Sequence, residues 1–239
     1  MSGHSKWAGI KHQKAINDAK RGNAFTKLAN TISVAAKQAG GDPGMNPTLR
    51  LAIDKARAAN MPKDNIERAI KRGTGELGGA AVEELLYEGF GPGNTAILVE
   101  ALTDNRNRTN ADVRTIFGKN GGRMAEGGGV AYQFNQKGVI RAGLSVEQAE
   151  SFELLVIEAG ADDYLLGEGY AAVYCQVQQV HPLKEVIETA GFAVSSAKIE
   201  WVATTPIELD DLDLEKVAKL LDALDENDDV TNVFTNLAE

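Results

Sequence analysis

Ser145-Val-Glu-Gln-Ala-Glu-Ser-Phe-Glu-Leu-Leu-Val-Ile-Glu-Ala-Gly160 opens as a capping box, a serine followed three residues later by a glutamine. Ala149, Phe152, Leu155, Val156 and Ala159 then recur at helical spacing, and Gly160 stands where such a helix ends. Working outward, Val139-Ile140 reads as a strand before this helix. Strands at 162–166 and 170–177 follow it and meet across Gly167-Glu-Gly169. Pro182 then starts a helix carrying Leu183, Val186 and Ile187 that stops at Gly191, and a last strand runs near 193–202. The order βαββαβ is that of a ferredoxin-like unit.

The flanks contain the pieces of a second such unit. Thr95-Ala-Ile-Leu-Val-Glu-Ala-Leu102 is apolar enough for a central strand. It follows the tight turn Gly89-Phe-Gly-Pro-Gly93 and precedes a helix with Val113, Ile116 and Phe117 inward. Gly121–Gly129 reads as a flexible connection, and Val130-Ala-Tyr-Gln-Phe134 as a strand that resumes the sheet. In the tail, Asp210-Asp-Leu-Asp213 caps a helix with Val217, Leu220, Leu221 and Leu224, and Val230–Asn236 alternates as a strand. That helix and strand are what the 80–134 segment lacks. Before both units, residues 23–39, a helix after Asn46-Pro47, and one opened by Pro62 and ended near Gly73 make a three-helix group.

The fold expected is α+β: an N-terminal three-helix domain followed by two ferredoxin-like α/β domains, one inserted in the other. Residues 1–78 carry a basic arm and the helices. Residues 79–134 with 205–239 form one α/β domain, and residues 135–204 form the inserted one. Gly73 to Gly78 spells GxGxxG, but a helix rather than a strand precedes it, which argues against a dinucleotide site.

Composition limits the function. With 239 residues, 43% of them hydrophobic, the chain can bury real cores, and no apolar run is long enough to span a bilayer. Its one cysteine, Cys175, lies in an apolar strand and reads as a packed, inert thiol, which fits a reducing cytoplasm. The net charge of −9 hides a strong asymmetry. Residues 1–75 hold fourteen cations against five acids, whereas the remainder is strongly acidic. Such a split points to an anionic partner for the first domain.

Lys6, Trp7, Lys11, His12, Lys14, Lys20 and Arg21 are the first candidates for contact with nucleic acid. The lysines and Arg21 suit phosphates, and Trp7 suits stacking on a base or ribose. A solvated tail is the bland alternative. Arg106 and Arg108, among the amides of Asn105-Arg-Asn-Arg-Thr109, form a second candidate contact at a helix start. There the alternative is a polar turn in which Asn107 or Thr109 merely caps the helix. Arg123 is a weaker addition. The Asp210, Asp211, Asp213 and Glu226, Asp228, Asp229 clusters read as caps and turns rather than a metal site. No hydrolase elbow, P-loop or zinc motif occurs, so no cofactor, metal or small-molecule substrate is expected, and the chain reads as a non-enzyme.

Several stretches resemble a known family. Gly3-His-Ser-Lys-Trp-Ala8, Ile10-Lys-His12, Asp18-Ala-Lys-Arg-Gly22 and Phe25-Thr-Lys27 resemble the opening of the YebC/PmpR family. Ala59-Asn-Met-Pro-Lys63, Tyr87-Glu-Gly-Phe-Gly-Pro-Gly93 and Glu100-Ala-Leu-Thr-Asp-Asn-Arg-Asn-Arg-Thr109 resemble its further signatures. The resemblance implies a three-domain cytoplasmic protein without catalytic activity. It implies a DNA-binding transcriptional regulator, or alternatively a translation factor that meets ribosomal or transfer RNA, as a mitochondrial relative activates translation. The expected protein is a monomer or a weak oligomer without a membrane partner.

Overall fold

A computed structural model describes residues 21–78 and 82–238. The basic arm through Lys20, with Lys6, Trp7, Lys11, His12 and Lys14, lies outside the described residues. The chain divides into two compact units, one of residues 132–206 and one comprising the residues on either side of it.

Three helices lead the flanking unit: α1 (Arg21–Ala39), α2 (Pro47–Ala58) and α3 (Lys63–Gly73). The Asn46 side chain caps α2 by accepting from Leu49 N–H at 3.0 Å, and Pro47 follows at the first helical position. Ile32, Ala35 and Ala36 of α1 pack with Leu49, Ala52, Ile53 and Ala56 of α2 and with Ile66 and Ala69 of α3. The alanines among them let the helices approach closely. A Cβ placed on Gly73 would sit 2.2 Å from the Ser33 carbonyl oxygen, so glycine is required where α3 crosses α1.

A four-stranded sheet follows, built from β1 (Glu83–Phe90), β2 (Ala96–Thr103), β3 (Arg123–Met124) and β8 (Val230–Thr235) in the order β3-β1-β2-β8. Helices α4 (Arg106–Lys119) and α7 (Asp211–Asp225) cover it. Tyr87, Ile97, Val99, Val113, Phe117, Leu220 and Leu224 form its core. Phe117 is fully buried, a transfer that contributes about 1.5–3 kcal/mol. A Cβ on Gly89 would lie 2.5 Å from the Phe117 ring, so the strand stays bare beneath it.

The unit of residues 132–206 holds β4 (Phe134–Gly143), α5 (Ala149–Glu158), β5 (Asp163–Gly167), β6 (Tyr170–Cys175), α6 (Val180–Thr189) and β7 (Val194–Ala203). Its strand order, β5-β6-β4-β7, with every pairing antiparallel, is the ferredoxin-like arrangement. Ser145 N–H donates to Gln148 Oε1 at 3.1 Å, half of the capping box read from the sequence. Phe152 and Val156 of α5 and Leu183 and Ile187 of α6 pack on Ile140 and Val173.

The structure adds one strand and corrects one local reading. Glu83–Phe90 forms a strand that the sequence does not announce, because its burial follows no clean alternation. The strand expected at Val130–Phe134 does not form as one piece. Ala131–Gln133 is a 3-10 turn, and Phe134 begins β4 of the other sheet. The reason is a side chain. Val130 and Ala131 N–H donate to the Glu88 carboxylate, at 2.6 and 2.7 Å, and so are withdrawn from any ladder. The connectivity of the first sheet also differs from a simple βαββαβ order. The hairpin of β1 and β2 leads, and β1 occupies the slot between β3 and β2.

Candidate nucleic-acid interface

Helix α2 buries Leu49, Ala52, Ile53 and Ala56, which turns Arg50, Lys55 and Arg57 to solvent. Helix α3 buries Ile66 and Ala69, which turns out Lys63, Arg68 and Lys71. Some of these cations serve the fold. Arg50 donates to the Pro43 and Gly44 carbonyls, each at 3.0 Å. Arg57 pairs with Asp54 at 3.6 Å and Lys63 with Glu67 at 3.4 Å, exposed contacts of small worth. Arg72 turns inward, donating to Ser33 Oγ at 3.1 Å and to the Asn30 side-chain oxygen. Asn30 in turn donates to Leu102 O at 3.0 Å, tying α1 to the end of β2. Lys55, Arg68 and Lys71 remain. Among the described residues they make no hydrogen bond or ion pair, and Arg68 and Lys71 are one turn apart on the same face of α3. Arg21 is the first residue of α1.

The second pair of candidates separates into two roles. The helix cap is Asn105, whose side chain accepts from Arg108 N–H at 3.1 Å, so neither Asn107 nor Thr109 caps α4. Arg108 reaches across to Asp229, with nitrogen–oxygen distances of 2.9 and 3.1 Å. Asp229 is 6% exposed and also accepts from the Thr109 hydroxyl at 2.7 Å and the Thr103 hydroxyl at 3.2 Å. Hydrogen bonding to Asp229 raises the Arg108 pKa further above its ordinary value, with the Asp229 and Asp104 charges adding to it. Arg108 is therefore engaged in closing the sheet around the turn before β8. The cleft beside it, about 460 Å³, is lined by Arg72, Arg108, Asp104, Asp112, Asp228 and Asp229, and its mixed charge does not suit a polyanion.

Arg106, one residue from the cap, makes no hydrogen bond or ion pair with a described residue. It lines a groove of about 250 Å³ with Leu85, Leu86, Tyr87, Glu88, Asn110, Met124, Ala125 and Gly127. The groove exists because β3 is short. It pairs only with Gly89 and Phe90 of β1, and Ala125 N–H adds one bond to Glu88 O at 2.8 Å. Tyr87 is 9% exposed, and its buried hydroxyl has no hydrogen-bond partner. Such a group costs about 1–3 kcal/mol. Burial pushes the Tyr87 pKa up, partly offset by the nearby Arg106 charge.

Glu88 lies at the same edge, 8% exposed. Its Oε1 accepts from Gly128 N–H at 2.6 Å, and its Oε2 from Val130 and Ala131 N–H. Burial raises its pKa, yet these three donors outweigh it and hold the carboxyl below its ordinary value. Neither Tyr87 nor Glu88 was marked as functional by composition or spacing. Both fall in the Tyr87–Gly93 stretch that carries the family resemblance, and of it only Gly89–Gly93 reads as a turn.

The remaining candidates are engaged elsewhere. Arg123 lies 4.8 Å from the centroid of the Phe90 ring. Asp210 caps α7 by accepting from Asp213 N–H at 2.8 Å, and Asp213 pairs with Lys216 at 2.7 Å. Among the described residues no group of three or more His, Cys, Asp or Glu side chains is placed to hold a metal. Burial pushes the Cys175 thiol pKa up, with the Asp162 charge adding to it. No helix among the described residues is long and apolar enough to cross a membrane.

Comparison with known proteins covers nearly the whole chain. Residues 5–76 match the TACO1/YebC protein N-terminal domain, and residues 82–237 match the TACO1/YebC second and third domain. A "Probable transcriptional regulatory protein" of Treponema denticola is 52% identical over 99% of this chain and 96% of its own length. One of Geobacter sulfurreducens is 51% identical over 99% and 95%. The crystal structure of a conserved hypothetical protein from Aquifex aeolicus superposes with a TM-score of 0.82 at 43% identity, covering 96% of this chain and 95% of that one.

Proposed function

The chain belongs to the TACO1/YebC family, and on that premise we propose that it is a non-enzymatic regulator of gene expression that binds DNA in the cytoplasm through its N-terminal domain. The observation that carries this reading is the unengaged cationic surface of the helical group. Lys55, Arg68 and Lys71 are exposed and unpaired among the described residues, and they follow an arm that adds Lys6, Lys11, Lys14 and Lys20. The names borne by the relatives from Treponema denticola and Geobacter sulfurreducens support transcription as the process regulated. The acidic remainder of the chain would be repelled by the same polyanion, which orients the basic domain toward it.

Binding through phosphates predicts a steep salt dependence. Replacing Lys55, Arg68 and Lys71 together with alanine removes three cations. On duplex DNA this lowers the slope of log affinity against log salt by about 2.7. Deleting residues 2–20 should lower it further. An unchanged slope in both variants overturns the reading. Crosslinking in cells followed by sequencing identifies the partner. Reads on discrete promoters are expected, and reads concentrated on ribosomal and transfer RNA would move the role to translation.

A further inference from the structure

We propose that the groove between β1, the start of α4 and the segment after β3 holds a single unpaired nucleotide, with Arg106 on its phosphate. The inference rests on the nucleic-acid reading and deepens it. Three observations meet in the groove. Arg106 is a cation with no partner among the described residues. The Tyr87 side chain, nine-tenths buried, brings an unpartnered hydroxyl within electrostatic reach of that guanidinium. Leu85, Leu86, Met124 and Ala125 line the groove with apolar atoms.

Each part of a nucleotide finds a counterpart. A guanidinium suits a phosphate through paired, charge-assisted hydrogen bonds. The Asn110 amide both donates and accepts, as the polar edge of a base or a ribose requires. Met124 offers surface for the flat face of a base. A paired base keeps its face in a stack and its edge in a base pair, so only an unpaired nucleotide can use this groove. Glu88 does not oppose the phosphate as a bare carboxylate would, because both of its oxygens accept backbone N–H groups. The groove is separate from the cationic faces of α2 and α3, so it can read strandedness while they supply affinity.

The test uses the full chain with labelled methionine methyl groups. Met124 lines the groove, whereas Met45 and Met61 lie in the helical group and serve as internal references. Adenosine and uridine 5′-monophosphates, inorganic phosphate and uridine are titrated separately, and a single strand is compared with its duplex. The monophosphates should shift the Met124 signal and leave those of Met45 and Met61 in place. Arg106→Ala should weaken that binding about ten- to hundredfold. Arg114→Ala, an exposed cation farther along α4, should leave it unchanged. The single strand should shift Met124 and the duplex should not.

Silence of Met124 toward both monophosphates, or equal affinity in Arg106→Ala, overturns the proposal. So does inorganic phosphate binding as tightly as the monophosphates, which would make this an anion site only. Strands that bind without moving Met124 defeat the groove and leave the nucleic-acid reading standing. Monophosphates that move Met124 in a chain that binds no strand defeat that reading and uphold the groove as a site for a free nucleotide.

Discussion

Replacing Glu88 with glutamine tests the carboxylate that fixes the chain where it leaves the first sheet. Glu88 accepts three backbone N–H bonds at 2.6, 2.6 and 2.7 Å. A glutamine keeps one carbonyl oxygen, which can serve Val130 and Ala131. Its NH2 group then faces Gly128 N–H, donor against donor. One charge-assisted bond, worth about 1.5–3 kcal/mol, is lost, and two others fall to neutral strength, near 1 kcal/mol each. Relief from burying a charge at 8% exposure opposes these losses. The net destabilisation expected is about 2–3 kcal/mol, or on the order of 5–10 °C in the melting of that unit.

The pH dependence supplies an independent check. The folded-state pKa of Glu88 is below its ordinary value of 4.5, so its stabilisation is present above that value. It is lost as pH falls through the folded pKa. The gap between wild type and Glu88→Gln should therefore be full at neutral pH and narrow below about pH 4.5. Urea denaturation across that range measures the gap. Amide exchange at Gly128, Val130 and Ala131 should speed up in the variant. A gap under about 0.5 kcal/mol at neutral pH, or one that does not change with pH, refutes the reasoning.

Other substitutions separate structural from exposed groups. Arg108→Ala leaves the buried Asp229 carboxylate without its cation and should cost about 3 kcal/mol, whereas Asp229→Ala, which leaves a half-exposed Arg108 still paired with Asp104, should cost less in the same urea titration. Gly73→Ala forces a Cβ against the Ser33 carbonyl and should destabilise the helical group by about 1–3 kcal/mol. Gly118→Ala, in open space on α4, should stabilise by about 0.5–1 kcal/mol, and thermal melts compare the two. Cys175, fully buried and with its thiol pKa raised, should resist thiol reagents in the native protein and react only on unfolding.

Much of the architecture was legible because it is written locally. Asn46-Pro47 states a helix start through its own side chain and its fixed φ, and α2 begins there. The capping box at Ser145 and the glycine at 160 bracket α5 in the same way. The βαββαβ order of the ferredoxin-like unit followed from such signals, and fold class with them. The failures share one cause. Val130 and Ala131 look like strand residues until Glu88, over forty positions earlier, takes their N–H groups. Asn105 rather than Asn107 or Thr109 caps α4, a choice among three polar residues within five positions that only the path of the chain makes.

By itself, the sequence determined the helices, most strands, the family resemblance and the concentration of positive charge in residues 1–75. These depend on periodicity, capping and composition, which act within a few residues or sum over many. Tertiary structure alone decided which charges are engaged. Arg106 and Arg108 are two residues apart and alike on paper. A buried aspartate from the far end of the chain holds Arg108, and a short β3 leaves Arg106 beside an open groove. Ion pairing depends on distance in space rather than along the chain, so no reading of the 103–110 segment alone could divide their roles.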